Sequence, residues 1–173
     1  MKKDQRFTYS DQNFKKYVLP ILQIKYPGHW ISTIKLEIDY KNCIDWIYAP
    51  IDGPPIFFAT RVWMSKPYKN HCVRWRKSTN KDLSLEVGIM LRNIEENRLI
   101  PDYTVESWVH NQYIYIAISD TRKLWNYIKQ NINNLPTIKI KNPAGYTEFL
   151  RVDFHRLPYQ PFLLTVPDFF NRP

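Results

Sequence analysis

Apolar positions along the chain change period several times, and each change marks an element. Phe14, Tyr17, Val18, Ile21 and Leu22 fall at i, i+3, i+4, i+7 and i+8, the stripe of a helix laid on a core. Ser10 is placed to cap this helix, Pro20 to kink it and Tyr26-Pro27-Gly28 to end it. From His29 to Met64 the residues turn β-branched and aromatic with turn chemistry between, which predicts strands at Ile31–Tyr40, Ile44–Ala49 and Ile56–Met64. The last two are joined through Pro50-Ile51-Asp52-Gly53-Pro54, where Asp-Gly suits a turn needing positive φ. A fourth strand is predicted over Cys72–Arg76. Helical spacing returns at Leu83, Val87, Met90, Leu91 and Ile94, with Asp82 as N-cap. Tyr103–Val109 and Tyr113–Ser119 read as a hairpin turning at His110-Asn111-Gln112, and Asp120 caps a helix carrying Leu124, Trp125 and Ile128. Thr137–Lys141 and Phe149–Phe154 alternate as short strands, while the Pro-rich aromatic tail shows no period. Short connections favour one central mixed sheet flanked by helices, a single α/β (α+β) domain over residues 1–173.

Composition agrees with a globular chain: 44% hydrophobic and 24% charged residues in 173. Nothing approaches the ~20 apolar residues of a membrane span or the apolar stretch of a signal peptide, so a cytoplasmic protein with no membrane partner is expected. Cys43 and Cys72 have neither metal-knuckle nor redox spacing and read as reduced core thiols. His29, His71, His110 and His155 lack the i, i+4 spacing of helical zinc sites. Single, scattered glycines exclude a phosphate-binding loop, and no Ser stands in a Gly-x-Ser-x-Gly elbow.

Charge changes the picture. Lys and Arg total 25 against 16 Asp and Glu, a net +9, which favours a polyanionic partner. From Pro54 to Lys81 there is no Asp or Glu, while Arg61, Lys66, Lys69, Arg74, Arg76, Lys77 and Lys81 interleave with Trp63, Tyr68 and Trp75. Cations neutralise phosphates with counterion release, and flat rings stack on unpaired bases. Lys66, Lys69, Arg74, Trp75, Arg76, Lys77 and Lys81 are therefore the candidate nucleic-acid contacts. Strand alternation would put Arg74 and Arg76 on one face.

Acidic residues gather before that stretch. Glu37 and Asp39 would share a face of the first predicted strand, and Asp45 opens the second. Converging carboxylates are what Mg²⁺ needs to activate water at a phosphodiester. The order helix, strand, Asp-led strand, hairpin strand, helix, strand over residues 11–120 resembles the core of the PD-(D/E)XK, or restriction-endonuclease-like, nucleases. That resemblance implies a metal-binding Asp at Asp45 and an acidic-x-Lys triplet at Ala59-Thr60-Arg61, where only the basic position is kept, as Arg61. It implies Mg²⁺ as cofactor and Glu86 as the substitute carboxylate beside Asp45, with Glu37 or Asp39 next. Residues 121–173 would add a helix, strands and the tail.

Three functions follow from this reading. One is a Mg²⁺-dependent endonuclease, with Asp45 and Glu86 as metal ligands and Arg61 on the phosphate, acting on DNA in preference to RNA and open to homodimer assembly. Another is a non-catalytic module that binds DNA or RNA through the same basic surface. A third is a small inhibitor protein from a mobile element, docking on another protein.

Overall fold

The computed structural model describes residues 10–33, 36–77, 85–142 and 145–168, and for Tyr40, Trp75, Arg76, Lys77, Leu85 and Asn142 the backbone only. The chain is a mixed α/β domain with a six-stranded mixed sheet and a three-stranded antiparallel one. No helix among the described residues is long and apolar enough to cross a membrane.

Helix α1, described from residue 10 to residue 25, contains one π turn, Phe14–Val18, before the regular segment Leu19–Lys25. The Leu19 N–H bonds Phe14 O, so Pro20 sits at the start of a fresh α segment, where its missing N–H and fixed φ are tolerated. Strands β1 (Gly28–Ser32), β2 (Trp46–Pro50) and β3 (Ile56–Trp63) form an antiparallel meander. Gly28 has no room for a side chain: a Cβ there would lie 2.6 Å from the Tyr48 ring and 2.7 Å from Ala49 O. Strand β4 (Asn70–Lys77) leaves this sheet, and helix α3 (Leu85–Glu95) leads back to β5 (Tyr103–His110), which lies parallel to β3. Strand β6 (Tyr113–Asp120) closes a hairpin with β5, and β9 (Phe162–Pro167) pairs with β6. Helix α4 (Thr121–Asn131) is capped by Asp120, whose carboxylate accepts from the Lys123 N–H at 2.9 Å. Strands β7 (Thr137–Asn142) and β8 (Gly145–Asp153) join β4 in the smaller sheet, in the order β4-β8-β7.

The period-two alternation of the large sheet builds a core on each face. Phe58 and Val62 of β3, Trp46 and Tyr48 of β2, Val105, Ile114 and Ile116 meet Phe14, Tyr17, Val18 and Leu22 of α1. On the other face Trp108 and Ala117 meet Val87 and Met90 of α3, Leu124, Trp125 and Ile128 of α4, and Val73, Leu150 and Val152 of the small sheet. The layers are α1, the large sheet, then α3, α4 and the small sheet together.

Four expectations are corrected. The strand Ile31–Tyr40 stops at Ser32, and Glu37–Asn42 forms a short helix, α2. The alternating Ile34, Leu36 and Ile38 imitate a strand, but Glu37 and Lys41 pair at i, i+4 and the Asn42 amide bonds Leu99 O, which fixes a helical turn. The expected central mixed sheet is there with six strands, but β4, β7 and β8 lie outside it in a second, three-stranded sheet, because β4 pairs with β8 across the other core face. The regular strand expected over Cys72–Arg76 has a register shift between Arg74, opposite Phe149, and Arg76, opposite Glu148. The tail read as aperiodic contains β9. The proposed cap Asp82 lies outside the described residues, as does Lys81.

Candidate functional site

Asp45, Arg61 and Glu86 do come together, on the core face that looks toward the small sheet. Asp45 precedes β2 and ends its pairing with β3: its N–H bonds Phe58 O at 2.9 Å, and its Oδ2 accepts from the Thr60 N–H at 2.5 Å. The carboxyl thus replaces a ladder carbonyl. Burial pushes its pKa from 3.8 up to about 7, against the Thr60 hydrogen bond and with help from the Asp39 and Glu86 charges.

Arg61, in the middle of β3, is fully engaged. One guanidinium nitrogen reaches both Glu86 oxygens at 3.0 and 3.2 Å, and the other donates to the Cys72 carbonyl. Burial works against its charge, but the Glu86 and Glu106 carboxylates more than offset that and hold it protonated. Arg74 lies in the same field, and burial, with Arg61 beside it, lowers its pKa. The side chains of Arg61 and Glu86 are each 22% exposed. Mg²⁺ takes a near-octahedral set of oxygens, and this arrangement does not supply one: Glu86 faces a guanidinium, Asp45 is shared with a backbone N–H, and position 59 is Ala. Among the described residues no three His, Cys, Asp or Glu side chains gather where they could hold a metal ion. Glu37 is exposed and paired with Lys41, while Asp39 is buried in α2 and its charge helps to raise the Asp45 pKa.

Behind Arg61 runs a buried polar network that the sequence reading missed. Glu106 of β5 accepts from Trp63 Nε1, from the Cys72 N–H at 3.0 Å and, at 3.3 Å, from His71 Nδ1. The carboxylate oxygen accepts, so Nδ1 donates to it, and Nε2 lies in hydrogen-bonding contact with the Ser119 hydroxyl at 2.7 Å. His71 is 0% exposed and Glu106 2%. Cys72, in the same layer, has its thiol pKa pushed up to about 12 by burial, with Glu106 adding to it, and Cys43 is also driven up by burial. Cys72 is buried in the core and Cys43, partly buried, packs against it; neither forms a disulfide. An isolated His and an isolated Glu, 35 residues apart, leave no local signal; only the pairing of two sheets brings them together.

The basic surface lies at the other end of β3. Met64, Lys66, Tyr68 and Lys69 of the β3–β4 loop are exposed, Tyr68 by 63%. Lys69 adopts a positive φ of 51° and its carbonyl accepts from the Phe154 N–H at 3.0 Å. That bond sets the loop against the 3₁₀ turn Phe154–Arg156, whose His155 and Arg156 are exposed. Arg151, half-exposed on β8, pairs with Asp153 at 3.0 Å. Of the expected contacts, Lys66 and Lys69 stand here, whereas Arg74 faces the Glu86 cluster. His155 and Arg156 were hidden in a segment whose sequence carries no period.

Comparisons with protein-family models, with curated proteins and with solved structures found no match.

Proposed function

We propose that the chain is a non-catalytic nucleic-acid-binding module built on a nuclease-like core. The observation that carries this is the pairing of an exposed cationic and aromatic loop, Lys66, Tyr68 and Lys69, with the exposed turn that carries His155 and Arg156, on a chain of net charge +9. Ammonium and guanidinium groups take phosphates, and a ring exposed beside them takes a base. The nuclease-like part is supported by connectivity: α1, a β1–β2–β3 meander led into β2 by Asp45, then α3 and a strand parallel to β3. The engaged Glu86, the Ala at 59 and the raised Asp45 favour binding over phosphodiester hydrolysis. The partner is DNA in preference to RNA, met in the cytoplasm.

Fluorescence anisotropy with labelled DNA and RNA over a salt series tests this. Binding is expected to weaken steeply with salt, to be indifferent to chelator, and to lose roughly one to two units of log–log salt slope in the Lys66→Ala/Lys69→Ala variant. Absence of salt-dependent binding, or an unaltered slope in the variant, would sink the reading. Cleavage that requires Mg²⁺ or Mn²⁺ and disappears in Asp45→Ala would replace it with an endonuclease.

A further inference from the structure

A second surface, away from the basic loop, has the chemistry of a base pocket. Along α4, Lys123, Asn126, Tyr127 and Gln130 recur at i, i+3, i+4 and i+7, the stripe turned away from the buried Leu124, Trp125 and Ile128. Pro158 and Tyr159 lie across this stripe, and the six residues line an open cleft of about 350 Å³. That volume lies in the range of small-ligand sites. Its walls combine two tyrosine rings and a proline ring with two carboxamides and one ammonium group. Each has a use: rings present surface for stacking, Asn and Gln offer a donor and an acceptor to a base edge, and Lys meets a phosphate.

The Tyr159 hydroxyl is buried near Ser119, which is itself bonded to His71 Nε2, so this wall of the cleft lies beside the network that joins the sheets. The cleft also follows directly from the basic surface along the chain. Phe154 bonds the Lys69 carbonyl, His155 and Arg156 are exposed, and Pro158 and Tyr159 come next. One residue, Leu157, separates the turn from the cleft wall.

We infer that this cleft takes a nucleobase with its sugar-phosphate, either from a free nucleotide or from a single strand whose phosphates run over Lys66, Lys69 and Arg156. The single-strand form rests on the proposed nucleic-acid function; the cleft itself does not. The variant Asn126→Ala/Gln130→Ala changes exposed positions and leaves the core intact. Adenosine and uridine monophosphate are titrated while backbone amide signals are followed by NMR, and anisotropy compares a single-stranded oligonucleotide with its duplex. The inference expects movement of the Lys123, Asn126, Tyr127 and Gln130 signals with a mononucleotide, about ten-fold weaker single-strand binding in the variant, and duplex binding within about two-fold. Unmoved signals together with unchanged single-strand affinity overturn it, while salt-dependent duplex binding would still stand for the basic loop. Mononucleotide binding in the cleft without oligonucleotide binding supports the pocket and removes the nucleic-acid function.

Discussion

Asp45 carries a cost at neutral pH that its neighbours only partly offset. With a folded pKa of about 7 against 3.8, the native state binds a proton that the unfolded chain has released between those values. Stability from this group is therefore highest below about pH 4 and falls as pH rises through 7. Asp45→Asn keeps an oxygen for the Thr60 N–H and removes the charge. The variant is expected to match the native protein near the acid end and to exceed it by about 1–3 kcal/mol above pH 8. Urea unfolding at both pH values checks this, and a gap that does not widen with pH would mean that the buried charge is not what burial penalises. Arg61 and Glu86 show the opposite economy. Each is partly buried, each neutralises the other, and the pair links β3 to α3, so both are committed within the fold before any ligand arrives.

At the scale of elements, the β5–β6 hairpin shows local chemistry set against chain geometry. Its two loop residues, Asn111 and Gln112, both take positive φ, 48° and 63°, as a two-residue turn matched to right-handed strand twist requires. Asn tolerates this; Gln does not do so readily. Gln112→Gly is expected to raise stability by about 0.5 kcal/mol, seen as a higher urea midpoint at constant slope. No shift, or a lower midpoint, would mean that contacts of the Gln112 side chain outweigh the backbone strain.

This hairpin, α4 with its Asp120 cap, β3 and the α1 stripe were legible because each rests on neighbours in sequence: a period, a cap, a turn. The α2 helix was not, since Ile34, Leu36 and Ile38 carry strand-like alternation and the bond that favours a helix, Asn42 to Leu99, spans 57 residues. Strand β9 was hidden because an edge strand flanked by prolines needs only one partner, β6, to define it. The meeting of Asp45, Arg61 and Glu86 was legible through topology, but the engagement of Glu86 by Arg61 was not, because a spacing cannot tell a ligand from a counter-ion.

For the molecule as a whole, the two sheets are held by apolar packing and by the Glu106 network. Glu106→Leu leaves the Trp63, Cys72 and His71 donors without their acceptor in a dry layer and is expected to cost about 3 kcal/mol or more. Adding His71→Phe removes one of the stranded groups, so the double variant should lose less than the sum of the two single ones. Equilibrium unfolding of the three variants gives that coupling, and simple additivity would show that the network is not acting as a unit.

The same network has a mechanical meaning. Hydrogen bonds from β4 to β5, and through His71 to β6, fasten the strand that follows the basic loop to the strand that leads into α4. Loop and cleft are then like the jaws of a caliper locked at one opening. On the proposed function, a partner that touches both would meet a spacing set by the core, so one slightly too short would gain one contact instead of two.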